Sequence, residues 1–225
     1  MIDLTPDPSP CEGEGNLLNK LITKWIPSRR HVGRMTVKYM KKLIITLEYP
    51  PKIGGIASYV HQFAVEMNSD ETVVLAPKYV GAKEFDKQNK IKIFRKKMLF
   101  PVFIWPRWIK LFFQVLRIVK KEKIEIIYLH HALPVGYVAR LIKKFKKIPY
   151  LVFSHGADIE HASRSKFRKN FLRKVLDESE QIIFNSKNLR RRFLKVLPKY
   201  ENKTSVVYPC PDQIFYDSID EEEIN

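Results

Sequence analysis

The segment 125–154, EIIYLHHALPVGYVARLIKKFKKIPYLVFS, contains two short apolar runs with a longer stretch between them. The runs, residues 125–129 and 150–154, have the length and apolar character of buried strands. The stretch between them, residues 135–147, has the length of a helix. A strand, a helix and a second strand in this order predict a βαβ unit with parallel strands.

The same alternation continues on both sides of this unit. Further strands are predicted at 43–47, 72–76, 91–94, 181–185 and 205–208, and further helices at 56–67, 107–123, 166–176 and 187–197. Short strands that alternate with helices of ten or more residues predict an α/β, Rossmann-like parallel sheet with helices on both faces. Ligands of such sheets bind at the carboxyl ends of the strands, so the residues after each strand are the candidate site.

The loop after the first strand, residues 48–55, reads EYPPKIGG. Gly54 and Gly55 allow a ligand to approach the backbone closely because they carry no Cβ. The helix that follows aims its free N–H groups at the same place, which suits a phosphate. An ordinary strand-to-helix turn is the alternative that this loop leaves open.

Two later loops carry histidines. His130 and His131 follow the fourth strand, and His155, Gly156 and Asp158 follow the fifth. An imidazole can donate to a sugar hydroxyl or to a phosphate, and a carboxylate can accept from hydroxyls or cap the next segment. We expect no metal, because the histidine pair has no third ligand and no helical HxxxH spacing. We expect one of the pair to pack or to bind backbone while the other faces the cleft.

The strand at 181–185 ends in Asn185 and Ser186, immediately before a helix. Both residue types are good helix caps, so capping is the favoured interpretation. Their place at the strand end also makes them candidates for substrate contact.

Taken in order, the motifs YPPxxGGI, HHxLPxGY, SHGADI, an apolar strand ending in NS, and VVYPCPDQIF resemble one family. Over residues 41–216 the chain resembles the N-terminal domain of retaining glycosyltransferases of family four, which have the GT-B fold. The resemblance implies transfer of a hexose from a nucleotide-diphospho-sugar, which is a co-substrate, without a cofactor or metal. It implies that Gly54 and Gly55 approach the phosphate of the donor and the acceptor, and that His155 lies beside the transferred sugar, while Asp158, His130 and His131 match the family in position. We expect His155 and Asp158 to be catalytic. We expect the substrate contacts to come from Gly54, Gly55, His130, His131, Gly156, Asn185 and Ser186.

The chain departs from the family pattern at Cys210 and Pro211, where Asn-Gly-Val is usual. In the family a second Rossmann-like domain follows and supplies most nucleotide contacts. We therefore expect this chain to be the acceptor-side half of a GT-B enzyme, with the donor-binding domain supplied by a missing segment or by a separate chain. We expect residues 40–216 to form the domain and residues 217–225 to be an acidic, truncated linker. Residues 1–39 are interpreted as a disordered or mis-called extension.

The charge of the chain is strongly basic. Lys and Arg number 41 against 24 Asp and Glu, and residues 40–211 alone carry a net charge of +21. A domain this basic favours an anionic partner or surface. In the predicted helix 107–123, a polar stripe contains Arg107, Lys110, Arg117 and Lys121, and Trp108 lies on the apolar side. This pattern indicates contact with an anionic membrane and a lipid-linked or saccharide acceptor, although a solvated cationic face is the plainer interpretation.

Other functions fit the pattern less well. We expect no nucleic-acid partner, since the basic residues spread over at least four helices and no nucleic-acid motif occurs. A flavodoxin-like module would need acidic or flavin-binding loops where glycine and histidine stand. A non-catalytic domain that binds a glycolipid, an anionic membrane or a protein partner remains the alternative to an enzyme. No apolar run reaches the length of a membrane span, so we expect a cytoplasmic protein, peripheral at the inner face of the membrane.

Overall fold

The computed structural model describes residues 40–67, 69–101, 106–156 and 165–209. In these residues strands and helices alternate in the order β1 Lys42–Ile45, α1 Gly55–Val65, β2 Thr72–Pro77, α2 Ala82–Lys87, β3 Lys92–Lys96, α3 Ile109–Glu122, β4 Ile126–Leu129, α4 Val135–Lys146, β5 Tyr150–Ser154, α5 Lys166–Glu178, β6 Gln181–Phe184, α6 Lys187–Val196, a 3₁₀ turn Pro198–Lys203, and β7 Thr204–Val206.

The seven strands form one sheet in the order β3-β2-β1-β4-β5-β6-β7, and every neighbouring pair is parallel. The predicted Rossmann-like α/β fold is therefore confirmed. The chain runs outward from β1 to β3, then crosses back to β4 and continues outward in the other direction. In sheets of this kind, such a reversal between β1 and β4 forms a cleft at the carboxyl ends of the two strands, and ligands bind there.

Side chains from the two faces of the sheet enter two cores. On one face, Leu43 and Leu129 pack with apolar residues of helices α3 to α6. On the other face, Ile44 and Tyr128 pack with residues of α1, including Val60. Because the central strands are buried on both faces, they appear in the sequence as continuous apolar runs rather than as an alternation.

The first strand ends earlier than predicted. It covers Lys42–Ile45 rather than 43–47, because the backbone of Leu47 forms hydrogen bonds with side chains instead of with a neighbouring strand. Its backbone N–H donates to Nδ1 of His131, 3.3 Å away, and its carbonyl accepts from the hydroxyl of Tyr79 at 3.2 Å. Side chains from the loops after β4 and β2 thus direct the chain out of the sheet and into the loop that leads to α1.

One helix was not predicted. The six-residue helix α2, Ala82–Lys87, begins after Gly81, which has a φ of +76°. A helix this short is below the length at which an apolar period can be recognised.

Several expectations lie outside the described residues. These are the interpretations of residues 1–39 and 217–225 and the role of Asp158. Within the described part of the chain, no helix is both long enough and apolar enough to cross a bilayer.

Candidate functional site

The loop between β1 and α1 is shaped by its own hydrogen bonds. The hydroxyl of Thr46 accepts from the backbone N–H of Glu48 at 3.1 Å and donates to the carbonyl of Glu48 at 2.7 Å. Arg95 of β3 donates to the carbonyl of Pro50. These contacts fix the exit from β1, so the loop delivers the start of α1 to the cleft in one position.

The start of α1 leaves room for a ligand. Within the described residues, no side chain caps the helix at Gly54. A Cβ added to Gly55 would meet no atom within 4 Å, so open space lies beside this residue. Uncapped N–H groups at the end of an eleven-residue helix next to open space form the arrangement that binds phosphate and other anions.

His130 and His155 lie side by side at the ends of β4 and β5. Nδ1 of His130 is 3.3 Å from Nε2 of His155, and the two rings are nearly parallel. Phe153 stacks on His130 with ring centroids 4.4 Å apart, and Tyr59 of α1 makes a T-shaped contact with His155, with centroids 5.1 Å apart. The structure therefore brings His155 against α1, beside the start of that helix.

The two adjacent histidines take different roles. His130 is fully buried, whereas His131 is half-buried and accepts the backbone N–H of Leu47 through its Nδ1. His130 thus packs inside the domain, and His131 ties the end of β4 to the loop after β1. The ring of His131 lies 6.4 Å from that of His155, on the same edge of the sheet.

Burial keeps the histidines neutral. Desolvation, helped by the charge of His131, lowers the pKa of His155 to about 4, and Glu48 opposes this shift. Desolvation also holds the pKa of His130 well below its ordinary value, with His155 and His131 adding to the effect. At neutral pH these rings act as hydrogen-bonding groups and not as cations.

Glu48 is a cleft residue that the sequence analysis missed. Its carboxylate forms an ion pair with Lys52 at 2.9 Å, and the side chain is 29% exposed. Oε2 lies 3.7 Å from the position that a Cβ on Gly54 would occupy. The carboxylate thus lies beside Gly54, and its charge acts on His155, whose pKa it raises. The signal available was that Glu48 is the one acidic residue in the loop 46–55.

Two of the remaining candidates, Gly156 and Ser186, have structural roles. Gly156 has a φ of +96°, a conformation that favours glycine, and its N–H donates to the hydroxyl of Ser154 at 3.3 Å. Ser186 caps α6, accepting from the N–H of Leu189 at 3.2 Å, as the sequence predicted. Asn185 is half-buried at the same edge of the sheet.

The predicted membrane stripe is only partly a surface. Arg107, Arg117 and Lys121 are exposed, but Lys110 is half-buried, with its Nζ 5.5 Å from the centre of the Phe100 ring. Trp108 is also half-buried, packed against the core below α3. Trp108 therefore faces the domain, while Arg107, Arg117 and Lys121 remain at the surface.

No cluster of three or more histidine, cysteine or acidic side chains is placed to hold a metal ion within the described residues. The cleft instead combines a helix N-terminus, neutral imidazoles and one carboxylate. This set of groups can bind phosphate oxygens and sugar hydroxyls through hydrogen bonds.

Residues 53–213 match the family model described as Glycosyltransferase Family 4, which covers most of the chain and all of the cleft loops except the first residues after β1. The chain belongs to Glycosyltransferase Family 4. This glycosyltransferase domain is 25% identical, over 67% of its length, to the GDP-mannose-dependent alpha-(1-6)-phosphatidylinositol monomannoside mannosyltransferase of Mycolicibacterium smegmatis, of which the match covers 39%. It is 24% identical, over 74% of its length, to the corresponding monoacylated phosphatidylinositol monomannoside mannosyltransferase of Corynebacterium glutamicum, of which it covers 44%. The chain thus spans less than half of the length of these curated relatives.

Solved structures share the fold. The glycosyltransferase of Rickettsia africae superposes with a TM-score of 0.61 at 15% identity, covering 83% of this chain and 48% of that one. HepE of Anabaena, in complex with UDP and glucose, superposes with a TM-score of 0.59 at 19% identity, covering 79% of this chain and 46% of that one. At these identities the comparison shows the fold alone. The chain has the Rossmann fold that makes up about half of each of these GT-B-type neighbours.

Proposed function

We propose that this Family 4 glycosyltransferase domain forms the acceptor side of an enzyme that transfers a hexose from a nucleotide-diphospho-sugar to a lipid-linked or saccharide acceptor with retention. The observation that carries the proposal is the cleft at the reversal of strand order, where the uncapped start of α1, Glu48 and the neutral His155 lie together. The relatives named as GDP-mannose-dependent mannosyltransferases of phosphatidylinositol mannosides support both the donor class and the lipid-linked acceptor.

Each group of the cleft has a role in this proposal. The N–H groups at the start of α1 bind phosphate oxygens of the donor, and the helix dipole favours their negative charge. His155 hydrogen-bonds the transferred sugar, and Glu48 accepts from a hydroxyl of the acceptor. A second Rossmann-like domain completes the donor site, since transfer requires donor and acceptor to be held together across the cleft. We propose no cofactor and no metal.

Turnover is the test of the enzymatic role. A two-domain enzyme is assembled from this chain and a donor-binding domain, and transfer from GDP-mannose and UDP-glucose to phosphatidylinositol mannosides and free glycans is measured. Replacing His155 by alanine should lower kcat/KM on the order of 100-fold, as expected for loss of one preorganised hydrogen bond to the reacting sugar. His61→Ala is the control, because His61 lies on α1 but bonds Tyr49 at 3.2 Å. Equal turnover of the His155→Ala variant would refute the site, and acceptor binding without turnover would favour the non-catalytic module.

A second observation supports membrane contact. Four aromatic rings form a line across the starts of α3, α4 and α5: Trp108 and Tyr137 lie 5.7 Å apart, Tyr137 and Phe171 5.1 Å, and Phe171 and Phe167 4.7 Å. In a parallel α/β sheet the helices run antiparallel to the strands, so their N-terminal ends lie at the edge that holds the cleft. The aromatic line therefore lies at the same edge of the sheet as the proposed acceptor site.

This edge is also apolar and basic at its surface. Phe113 near the start of α3 is 61% exposed and Phe167 at the start of α5 is 60% exposed. The basic residues nearby are Arg107, Lys110, Lys166 and Arg168. We propose that this edge rests on the anionic inner face of the cytoplasmic membrane, so that a lipid-linked acceptor enters the cleft directly from the bilayer.

Vesicle binding tests this surface. The chain should co-sediment with phosphatidylglycerol vesicles and bind phosphatidylcholine vesicles far less. The double variant Phe113→Ser/Phe167→Ser should weaken binding on the order of 10-fold or more, because each exposed ring loses part of its burial energy. Phe145→Ser is the matched control, since Phe145 is 63% exposed but lies near the end of α4, at the opposite edge of the sheet. Equal weakening by the control, or binding to DNA with no preference for anionic lipid, would refute the proposed surface.

A further inference from the structure

The contact between His130 and His155 has two possible proton arrangements. Nδ1 of His130 and Nε2 of His155 are 3.3 Å apart, and the ring planes differ by 18°. A hydrogen bond between neutral imidazoles needs a proton on one of these nitrogens and a lone pair on the other. The two arrangements differ in the group that His155 offers to the cleft, so the choice between them bears on what His155 can bind.

The surroundings of His130 distinguish the two arrangements. The ring is fully buried, with Phe153 stacked on one face and Phe63 in an edge contact at 5.3 Å. Within the described part of the chain, Nε2 of His130 has no hydrogen-bond partner. A proton on that nitrogen would be a buried donor without an acceptor, which is unfavourable because the N–H loses its hydrogen bond to water and gains none in return. A proton on Nδ1 leaves only a lone pair there and uses the N–H in the contact with His155.

Both rings carry a single proton at neutral pH. Burial lowers the pKa of both histidines, and the facing His131 lowers them further, while Glu48 raises the pKa of His155 without restoring its ordinary value. Tyr59 contacts both rings, whereas Tyr128 contacts Phe153. Burial raises the pKa of Tyr128, so it adds no charge near the pair at this pH. A proton placed on Nδ1 of His130 therefore fixes the position of the proton on His155.

We infer that His130 is a positioning residue that donates its Nδ1–H to Nε2 of His155, so that His155 offers an Nδ1–H donor to the substrate. The lone pair of Nε2 is then occupied, and His155 cannot serve as a general base through that nitrogen. It instead donates to an oxygen of the sugar or phosphate in the cleft. The inference rests on the proposed function only for the identity of that ligand, because the proton arrangement belongs to the unliganded chain.

The test is a spectroscopic assignment of the proton on His155 in the 225-residue chain. Long-range nitrogen–proton NMR correlations of the ¹⁵N-labelled chain at pH 7 distinguish a protonated ring nitrogen from one with a lone pair. We expect His130 and His155 both to be protonated at Nδ1 and bare at Nε2. A proton on Nε2 of His155 would overturn the inference, and this result requires no variant and no enzymatic activity.

Substitutions at position 130 separate positioning from packing. His130→Phe removes the donor, and His155 should then become mostly protonated at Nε2 or a mixture of both forms. His130→Asn retains an N–H at the δ position and should restore the Nδ1–H form of His155. Phe63→Leu, which loosens the packing on His130 but keeps its N–H, should leave the form of His155 unchanged. An unchanged His155 in a folded His130→Phe protein would overturn the inference.

The same variants carry a binding readout. If a sugar or phosphate ligand accepts from Nδ1 of His155, its affinity should fall about 10-fold in His130→Phe and recover in His130→Asn. A binding loss without a change in the proton position of His155 would assign His130 a packing role only. A change in proton position without a binding loss would refute the proposed contact between His155 and substrate while leaving the proton arrangement intact.

Discussion

Arg95 of β3 holds Asp86 of α2 through a two-point ion pair, with Nη2 2.7 Å from Oδ1 and Nε 3.1 Å from Oδ2. The same guanidinium donates to the carbonyls of Pro50 and Pro77 and lies 5.2 Å from the centre of the Tyr49 ring. One side chain thus joins a strand and a helix at the edge of the sheet to the loop that positions the start of α1.

Arg95→Lys should destabilise the domain although it preserves the charge. Lysine cannot reproduce the forked donors, so the carboxylate of Asp86 and the carbonyl of Pro50 would lose partners in a largely buried place. We expect a loss of about 2 kcal/mol in the free energy of unfolding, or roughly 4–8 °C in Tm, measured by thermal denaturation. Lys199→Gln is the control, because its pair with Asp177 is about half exposed and should contribute little. Equal stability of Arg95→Lys and the native chain would contradict this role.

Gly136→Ala should destabilise the packing of α4 on α5. A Cβ at this position would lie 2.7 Å and 2.8 Å from the two methyl carbons of Val175, which is closer than non-bonded carbon atoms approach each other. We expect a loss of about 1–3 kcal/mol in urea denaturation, typical of an overpacked core. Adding Val175→Ala should recover part of that loss, since the two changes are coupled. Simple additivity of the two costs would show that the steric explanation is wrong.

Gly55→Ala should separate binding from stability. The added Cβ meets no atom of the folded domain, and alanine favours the helix, so we expect stability unchanged or raised by about 0.4–1 kcal/mol. Ligand affinity should nevertheless fall, because the methyl group would occupy the space beside the uncapped N–H groups. Titration of UDP and GDP into the native chain and into the Gly55→Ala variant measures this effect. Unchanged affinity for both nucleotides would place the phosphate elsewhere.

Glu48→Gln should weaken the binding of the acceptor. The amide keeps the size of the side chain but loses the charge-assisted hydrogen bonds that a carboxylate accepts from hydroxyls, so we expect acceptor affinity to fall by about 10-fold. The pKa of His155 should also fall further, because Glu48 raises it. Lys52→Gln removes the ion-pair partner but keeps the carboxylate, and should have the smaller effect on binding. NMR titration of the acceptor and of the His155 ring checks both expectations, and a larger effect of Lys52→Gln would reverse the assignment.

Acid should destabilise the domain through its buried histidines. The pKa of His155 is about 4 in the folded chain and about 6.5 when unfolded, so the unfolded state binds the proton more readily. The contribution of neutral His155 to the stability is fully present above pH 6.5 and is lost as the pH falls towards 4. The shift corresponds to about 3 kcal/mol. The difference between the urea midpoints at pH 7.5 and pH 4.5 should be smaller for His155→Gln than for the native chain. An equal pH dependence of the two proteins would show that His155 is not buried in its neutral form.

The fold follows closely from local patterns. Apolar runs of four to six residues, separated by helical stretches, predicted each of the seven strands and five of the six helices in the described residues, with errors of one or two residues at their ends. The positions that could not be predicted depend on distant partners. β1 ends at Ile45 because His131, more than eighty residues later, takes the N–H of Leu47. α2 is too short for its period to be recognised, and it is held by Arg95 from the following strand.

The residues of the cleft also divide into those that the sequence indicates and one that only the folded domain reveals. The glycines and histidines that follow strands could be recognised because all parallel strands end at one edge, and the capping role of Ser186 is a local property of the helix that it begins. Glu48 was missed because a single carboxylate in a loop has no local signal. Its importance comes from Gly54 and His155, which approach it only in the folded domain.

The sequence alone determined the strand and helix order, the family resemblance and the basic charge. Each of these can be recognised or counted along the chain without knowing which distant residues come into contact. Only the tertiary structure decided the chemical character of the site. It buried His130 against Phe153, brought its Nδ1 to His155 and lowered the pKa of both rings. Desolvation and hydrogen bonding between residues on different strands exist only once the sheet has formed, so they cannot be predicted from a local sequence pattern.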